Sequence, residues 1–205
     1  TKQRRAATPE ELMIFPDTHE AIFNNRDPRM AQTILKPGAK WGGYPGKTTY
    51  EQPKFSNSAT SCRTTTGWYF TKFVELSAVS FYNKDQNAIP LMRYAEVLLN
   101  WIEANIDKSI NLLRDRVEAD KMVLTKLNAY GLNLRDEIRR ERRVELALEG
   151  ERYFDLLRWK QGDLLAKDVT GMRKSTVPPS EYVYVEDIPT DDKGNLILMT
   201  GRTFS

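Results

Sequence analysis

Residues 134–160, LRDEIRRERRVELALEGERYFDLLRWK, decide how this chain is read. The first half is a helix by pattern. Leu134, Ile138, Glu145 and Leu148 fall near one face at helical spacing, and neither Pro nor Gly interrupts Arg135 to Glu149. Gly150 supplies the left-handed residue that ends a helix. A shorter apolar run follows in Tyr153, Phe154, Leu156, Leu157 and Trp159. The stretch predicts a helix, a glycine stop and a second, aromatic helix folding back on it.

The charge pattern is unusual. Glu145 shares a stripe with Leu134, Ile138 and Leu148, and a carboxylate facing a core needs a neutralising partner. Arg142, Arg152 and Arg158 are near enough in sequence to serve. The expectation is a partly buried arginine–glutamate network that locks helices together. The competing reading makes Glu141 and Glu145 an acid–base pair. Two glutamates four residues apart on one helix point the same way, whereas glycosidic catalysis needs carboxylates on opposite sides of the bond.

Working outward, Pro90 opens an amphipathic helix whose expected inner stripe is Leu91, Tyr94, Ala95, Leu98 and Ile102. Asp107 is a plausible N-cap for a helix from Lys108 to about Val117, with Ile110, Leu113 and Val117 inward. Two helices joined by a short turn make a hairpin of tetratricopeptide type. Met122 and Leu127 read as core filler. Downstream, Tyr182 to Val185 alternates like a strand, and Asp191-Asp192-Lys193-Gly194-Asn195 is a hairpin turn into Leu196–Met199. Asp191, Asp192 and Asn195 are also oxygen ligands suited to Ca²⁺, but such residues are ordinary in turns, so no metal is expected.

Residues 34–90 differ in kind. Pro, Gly, Thr and Ser are dense there, with aromatics scattered among them and no sustained period. Long loops with short strands near Thr48–Tyr50 and Tyr69–Val74 are expected. A long irregular stretch inside a domain is often functional.

With 205 residues, 40% of them hydrophobic, the chain has ample material for a domain core. Its 31 basic and 28 acidic residues give a net charge of +3, which offers no global drive toward nucleic acid or an anionic membrane. One cysteine, Cys62, excludes an internal disulfide. One histidine, His19, excludes multi-histidine metal sites. No apolar run approaches the roughly 18 residues of a membrane span, and no export signal opens the chain.

The 134–159 stretch closely resembles the C-terminal signature of the SusD/RagB family. A second match is PLMRYAEVLLN at 90–100, followed by Glu103-Ala104, and a weaker one is DPRM at 27–30. Together they span about residues 27–160. Asn111, Arg114 and Arg116 also match the family's spacing. The resemblance implies a mainly α fold, with tetratricopeptide-like hairpins packed with a loop-rich region containing short strands. It implies that residues 1–205 form one domain, the C-terminal part of a longer protein: an aromatic loop region at 34–90, a helical signature region at 90–160, and loops with a short hairpin at 161–205. It implies that Asp27-Pro28-Arg29 stabilises a turn and that Arg93 and Glu96 help knit the helices.

Family members are surface-exposed lipoproteins of the Bacteroidetes outer membrane. They bind glycans or other nutrients above a TonB-dependent, SusC-like transporter, without catalysis and without a cofactor. For this chain the expected ligand is therefore an oligo- or polysaccharide. Trp41, Tyr44, Tyr50 and Trp68 are the expected ligand-binding residues, because an aromatic face on a loop suits the apolar C–H face of a sugar. That choice rests on chemistry, not on the motifs. The alternative is a protein-interaction scaffold whose hairpins are the function, and burial of the aromatics would favour it.

Two other classes fare worse. An enzyme needs two carboxylates about 5 to 10 Å apart across a cleft, and Glu51 and Glu75 are the weak candidates that the loops offer. Nucleic-acid binding through Arg135, Arg139, Arg140, Arg142 and Arg143 is undercut by the interleaved Asp136, Glu137, Glu141, Glu145 and Glu149.

Overall fold

A computed structural model of the chain describes residues 18–40, 49–55, 63–74, 86–88, 90–106, 110–129 and 131–201. The fold is mainly helical with few short strands, as the pattern predicts. Among the described residues six α-helices run in order: α1 Pro28–Thr33, α2 Tyr94–Asn105, α3 Ile110–Asp115, α4 Leu124–Ala129, α5 Leu134–Glu145 and α6 Glu151–Arg158. Two strands, β1 Val169–Arg173 and β2 Asn195–Met199, pair antiparallel. Short 3₁₀ turns cover Ala21–Phe23, Gly162–Leu165, Lys174–Thr176 and Pro179–Tyr184. Among the described residues, no helix is long and apolar enough to cross a membrane.

The chain divides into two compact units. The first takes residues 1–15, 24–33 and 88–153, and the second takes residues 16–23, 34–87 and 154–205.

In the first unit, α2 packs on α5 and α3. Its core gathers Ala95, Leu99, Ile102, Ile110, Leu113, Met122, Ile138 and Leu146. The helix expected from Pro90 starts at Tyr94, and its buried stripe is Ala95, Leu99 and Ile102. Leu91 and Tyr94 were expected on that stripe. They are 95% and 74% exposed, because Leu91 precedes the helix and Tyr94 starts it one position away from the buried face. Ile106 ends α2 in a left-handed conformation, its N–H donating to the Ile102 carbonyl. Asn111 spans the loop after α3, donating to the Met122 carbonyl and accepting from its N–H. That pins Met122 into the core, where the sequence places it.

Helix α5 is capped at Asn133, whose side chain accepts from the Asp136 N–H at 2.8 Å. Asp136 and Glu137 in the first turn and Arg142 and Arg143 in the last suit the helix dipole. The helix stops at Glu145, five residues short of Gly150. The chain then turns through Leu148, at φ +67°, and Gly150, at φ +85°. Leu148, expected on the inner stripe, is therefore exposed, and Leu146 fills the core in its place.

In the second unit, a core of Phe55, Met172, Val177, Val185 and Leu196 is flanked by Trp68, Ile188 and Leu198. The ribbon pairs Val169 with Met199, Thr170 with Ile197 and Arg173 with Asn195, with irregularities between them. Tyr182–Val185 is not the strand that its alternation implied. Pro178 and Pro179 fix the backbone angle of a helical start, and residues through Tyr184 form a 3₁₀ turn that leaves Val183 exposed and buries Val185. Asp191 closes the turn into β2: its carboxylate accepts from the N–H groups of Lys193 and Asn195 and from the Asn195 amide. Before β1 the loops are held by isolated bridges, Ile34 to Phe70, Lys40 to Thr49 and Phe55 to Thr64. These stand where short strands were expected around Thr49 and Phe70.

Candidate functional site

Each unit holds one concentration of chemistry. The first unit buries a charged network. Helix α5 turns Glu137, Glu141 and Glu145 to one face at i, i+4 and i+8, and all three are buried with Ile138. Arg29 on α1 reaches both Glu141 and Glu145 at 2.7 Å, while Asp27 accepts from its backbone N–H and its guanidinium. Arg93 donates to Glu145 at 2.8 Å, to Glu149 at 2.6 Å and to the Glu145 carbonyl at 2.7 Å. Arg114 on α3 spans Glu141, at 3.0 Å, and Glu137. Arg116 closes on Glu145. Arg142 donates to Asn100 at 2.6 Å and lies 3.6 Å from Glu151.

The expectation of a buried arginine–glutamate network is met, with partners that arrive from far along the chain. Arg29, Arg93 and Arg116 hold Glu145, while Arg158 reaches Asp155. The Asp27-Pro28-Arg29 motif does more than shape a turn, since it delivers a guanidinium to the centre of the network. Burial alone would raise the Glu145 pKa. Hydrogen bonds from Arg29, Arg93 and Arg116 outweigh it and hold the carboxyl at about 2. Both glutamates of the supposed acid–base pair are thus occupied by arginines, on one face of one helix.

The second unit gathers aromatics. Thr18 accepts from the Ala21 N–H and starts a short turn that buries His19 and Phe23. The His19 ring lies 5.2 Å from Trp68, 5.8 Å from Phe23 and 6.3 Å from Tyr50, and Tyr50 meets Tyr69 edge-on at 5.7 Å. A threonine turn fixes Trp68: Thr64 accepts from the N–H groups of Thr66 and Gly67 and donates to the Trp68 carbonyl, and Thr66 accepts from the Trp68 N–H. Gly67 is required here. Its φ is +84°, and a Cβ would collide with the Met172 side chain.

The Tyr50 hydroxyl lies 3.5 Å from His19 Nε2. Among the described residues, His19 Nδ1 has no hydrogen-bond partner. Burial lowers the His19 pKa to about 4, so the ring is neutral near pH 7. Burial, with Tyr69 adding to it, pushes the Tyr50 phenol up.

Two of the four expected ligand residues, Tyr50 and Trp68, are thus brought together, both half-buried, with His19 wedged against them. Trp41 and Tyr44 lie outside the described residues. Further along the chain Phe70 and Phe73 are exposed, and Phe73 is held at φ +64° with the Lys72 ammonium 5.4 Å from its ring centroid. Sequence reasoning passed over His19 as a member of this aromatic group because a lone histidine carries no spacing signal.

The model of the SusD family matches residues 14–192. A solved SusD-like carbohydrate binding protein from Bacteroides fragilis superposes with a TM-score of 0.64 at 26% identity, over 92% of this chain and 39% of its own length. A second SusD-like protein from Bacteroides fragilis superposes with a TM-score of 0.61 at 22% identity, over 90% of this chain and 35% of its own, a likeness of fold. This chain therefore spans well under half the length of either structure. A search of curated proteins finds no match.

Proposed function

The chain belongs to the SusD family, and from that premise we propose that it binds glycans at the bacterial cell surface, without catalysing a reaction. The delivery of the ligand to a TonB-dependent, SusC-like transporter of the outer membrane is part of the same reading. The observation that carries it is the aromatic group of Tyr50, Trp68 and Tyr69, set on loops in the second unit, with Phe70 and Phe73 exposed further along the chain. Aromatic faces take the apolar side of a pyranose ring, and loop carbonyls and hydroxyls take its rim. Such contacts give affinities of about 10 µM to 1 mM, equivalent to roughly 4 to 7 kcal/mol. The printed description of one structural relative as carbohydrate binding supports the ligand class. A non-enzymatic role is supported by the occupation of Glu141 and Glu145 by arginines.

A second reading, a protein-interaction scaffold, draws on α2. Tyr94, Val97 and Trp101 repeat along its outer side, and all three are exposed. The test is a glycan array probed with the protein and with a Trp41→Ala/Trp68→Ala variant confirmed as folded. Binding lost in the variant is the expected result. A folded protein that binds no glycan would overturn the proposal and favour the scaffold.

A further inference from the structure

The loop region that carries the aromatics also carries a local charge excess that the whole-chain balance hides. Residues 34–90 hold seven basic side chains, Lys36, Lys40, Lys47, Lys54, Arg63, Lys72 and Lys84, against three acids, Glu51, Glu75 and Asp85. Subtracting these from the chain's 31 basic and 28 acidic residues leaves 24 and 25, so the rest of the chain is close to balanced.

The backbone around three of these lysines is tied to one aromatic pair. The turn from Lys36 to Lys40 is pinned onto Tyr50, because the Gly38 N–H donates to the Tyr50 carbonyl at 2.7 Å and the Tyr50 N–H donates to the Ala39 carbonyl at 3.0 Å. Leu35, next to Lys36, donates its N–H to the Tyr69 carbonyl at 2.9 Å. The Tyr69 hydroxyl donates to the Lys54 carbonyl at 3.2 Å. Lys36 and Lys40 therefore border Tyr50, and Lys54 sits at the hydroxyl end of Tyr69. Lys40 and Lys54 are exposed and Lys36 is half-exposed.

Among the described residues, no carboxylate forms an ion pair with Lys36, Lys40 or Lys54. The acids nearby are committed or outnumbered. Glu181 accepts from the Phe55 N–H and lies 3.9 Å from Arg63. Glu51 is the opposing carboxylate next to Tyr50, and Glu20 adjoins His19. In the first unit, by contrast, Arg29, Arg93, Arg114 and Arg116 are paired with glutamates. A cluster of like charges beside an aromatic platform repels itself, and a bound anion relieves that repulsion.

We propose that the glycan recognised at these loops is anionic, its carboxylate or sulfate groups meeting Lys36, Lys40 and Lys54 while its ring stacks on the Tyr50–Tyr69 pair. The inference rests on the glycan-binding reading and names the substrate class of the same site. Recognition by exposed ammonium groups is screened by salt, since the Debye length falls from about 10 Å at 0.1 M to about 3 Å at 1 M. Lysine acts as a point charge and makes no bidentate demand, so carboxylate and sulfate are both accommodated.

The test is calorimetric titration of the protein with four probes of matched length: an oligogalacturonate, a sulfated heparin oligosaccharide, a neutral glucan oligosaccharide and a single-stranded DNA oligonucleotide. At least one acidic oligosaccharide is expected to bind about tenfold or more tightly than the neutral one, and which of them does so separates carboxylate from sulfate. A Lys36→Gln/Lys40→Gln/Lys54→Gln variant with unchanged melting temperature is expected to lose roughly tenfold toward the acidic probe. Raising salt to 0.5 M should reproduce most of that loss. Equal binding of neutral and acidic probes would overturn the anionic inference and leave glycan binding standing. DNA binding as tight as the acidic glycan would also overturn it, as would an unaffected triple variant. Binding of no saccharide would bring down the glycan reading itself.

Discussion

The two units solve the problem of burying polar groups in opposite ways. The first buries charges and answers each with its opposite: Glu137, Glu141 and Glu145 against Arg29, Arg93, Arg114 and Arg116. The second buries a neutral imidazole among aromatic rings and leaves Nδ1 of that imidazole without a described partner. The charged core specifies geometry, because every guanidinium must find its carboxylates or pay a large desolvation cost. The aromatic core tolerates variation, because ring packing is less directional.

The largest effect is expected from cutting the charged core at its busiest carboxylate. Glu145→Ala removes the carboxylate that Arg29, Arg93 and Arg116 share, leaving Arg29 to Asp27 and Glu141 and Arg93 to Glu149, and should cost about 3 kcal/mol, read as a fall in urea midpoint. A loss below about 1 kcal/mol would mean that the network is solvated and the comparison between the units is false.

Acid should distinguish the units by where each weakens. Glu145 has a folded pKa of about 2 against an ordinary 4.5. A depressed acid contributes stability that is complete above 4.5 and lost as pH falls toward 2, here about 3 kcal/mol. His19 has a folded pKa of about 4 against 6.5. The unfolded chain takes up its proton first, so stability falls between pH 6.5 and 4, again by about 3 kcal/mol. His19→Phe should flatten the upper limb of a stability-against-pH curve and leave the lower limb intact. An unchanged upper limb would show that His19 is solvated.

A smaller effect is expected at the turn before Trp68. Gly67→Ala forces a Cβ into Met172 at a left-handed φ, and about 1 to 3 kcal/mol should be lost. Adding Met172→Ala relieves the collision but leaves the backbone strain, so partial recovery is expected. Full recovery would show that the left-handed backbone carries no cost there.

These predictions track what the sequence makes readable. The charged unit was legible because α5 writes its glutamates at a fixed period, and a carboxylate on an apolar stripe demands arginines. Their identities were not legible: Arg29 lies 116 residues from Glu145, and no local pattern links them. Leu148 was misplaced because the helix stops at Glu145, and the left-handed turn at Leu148 has no glycine to announce it. Tyr182–Val185 misled because alternation over four residues is too short to outweigh two preceding prolines. In the aromatic unit, Tyr50 and Trp68 were singled out by residue type. Their meeting with His19 was not, since three segments joined by irregular loops carry no period.

The shared signature builds the charged core, and the proposed function places the ligand at the aromatic loops. The most direct test is one calorimetric comparison, using whichever glycan the array identifies, of Trp41→Ala/Trp68→Ala and Arg116→Gln, each confirmed as folded. Arg116 belongs to the network, yet its side chain is 52% exposed, so its loss should leave a folded protein. The account predicts at least a tenfold loss of affinity in the aromatic variant and a change within twofold in Arg116→Gln. Undiminished binding by the aromatic variant, with binding lost in Arg116→Gln, would contradict it and move the ligand onto the charged unit.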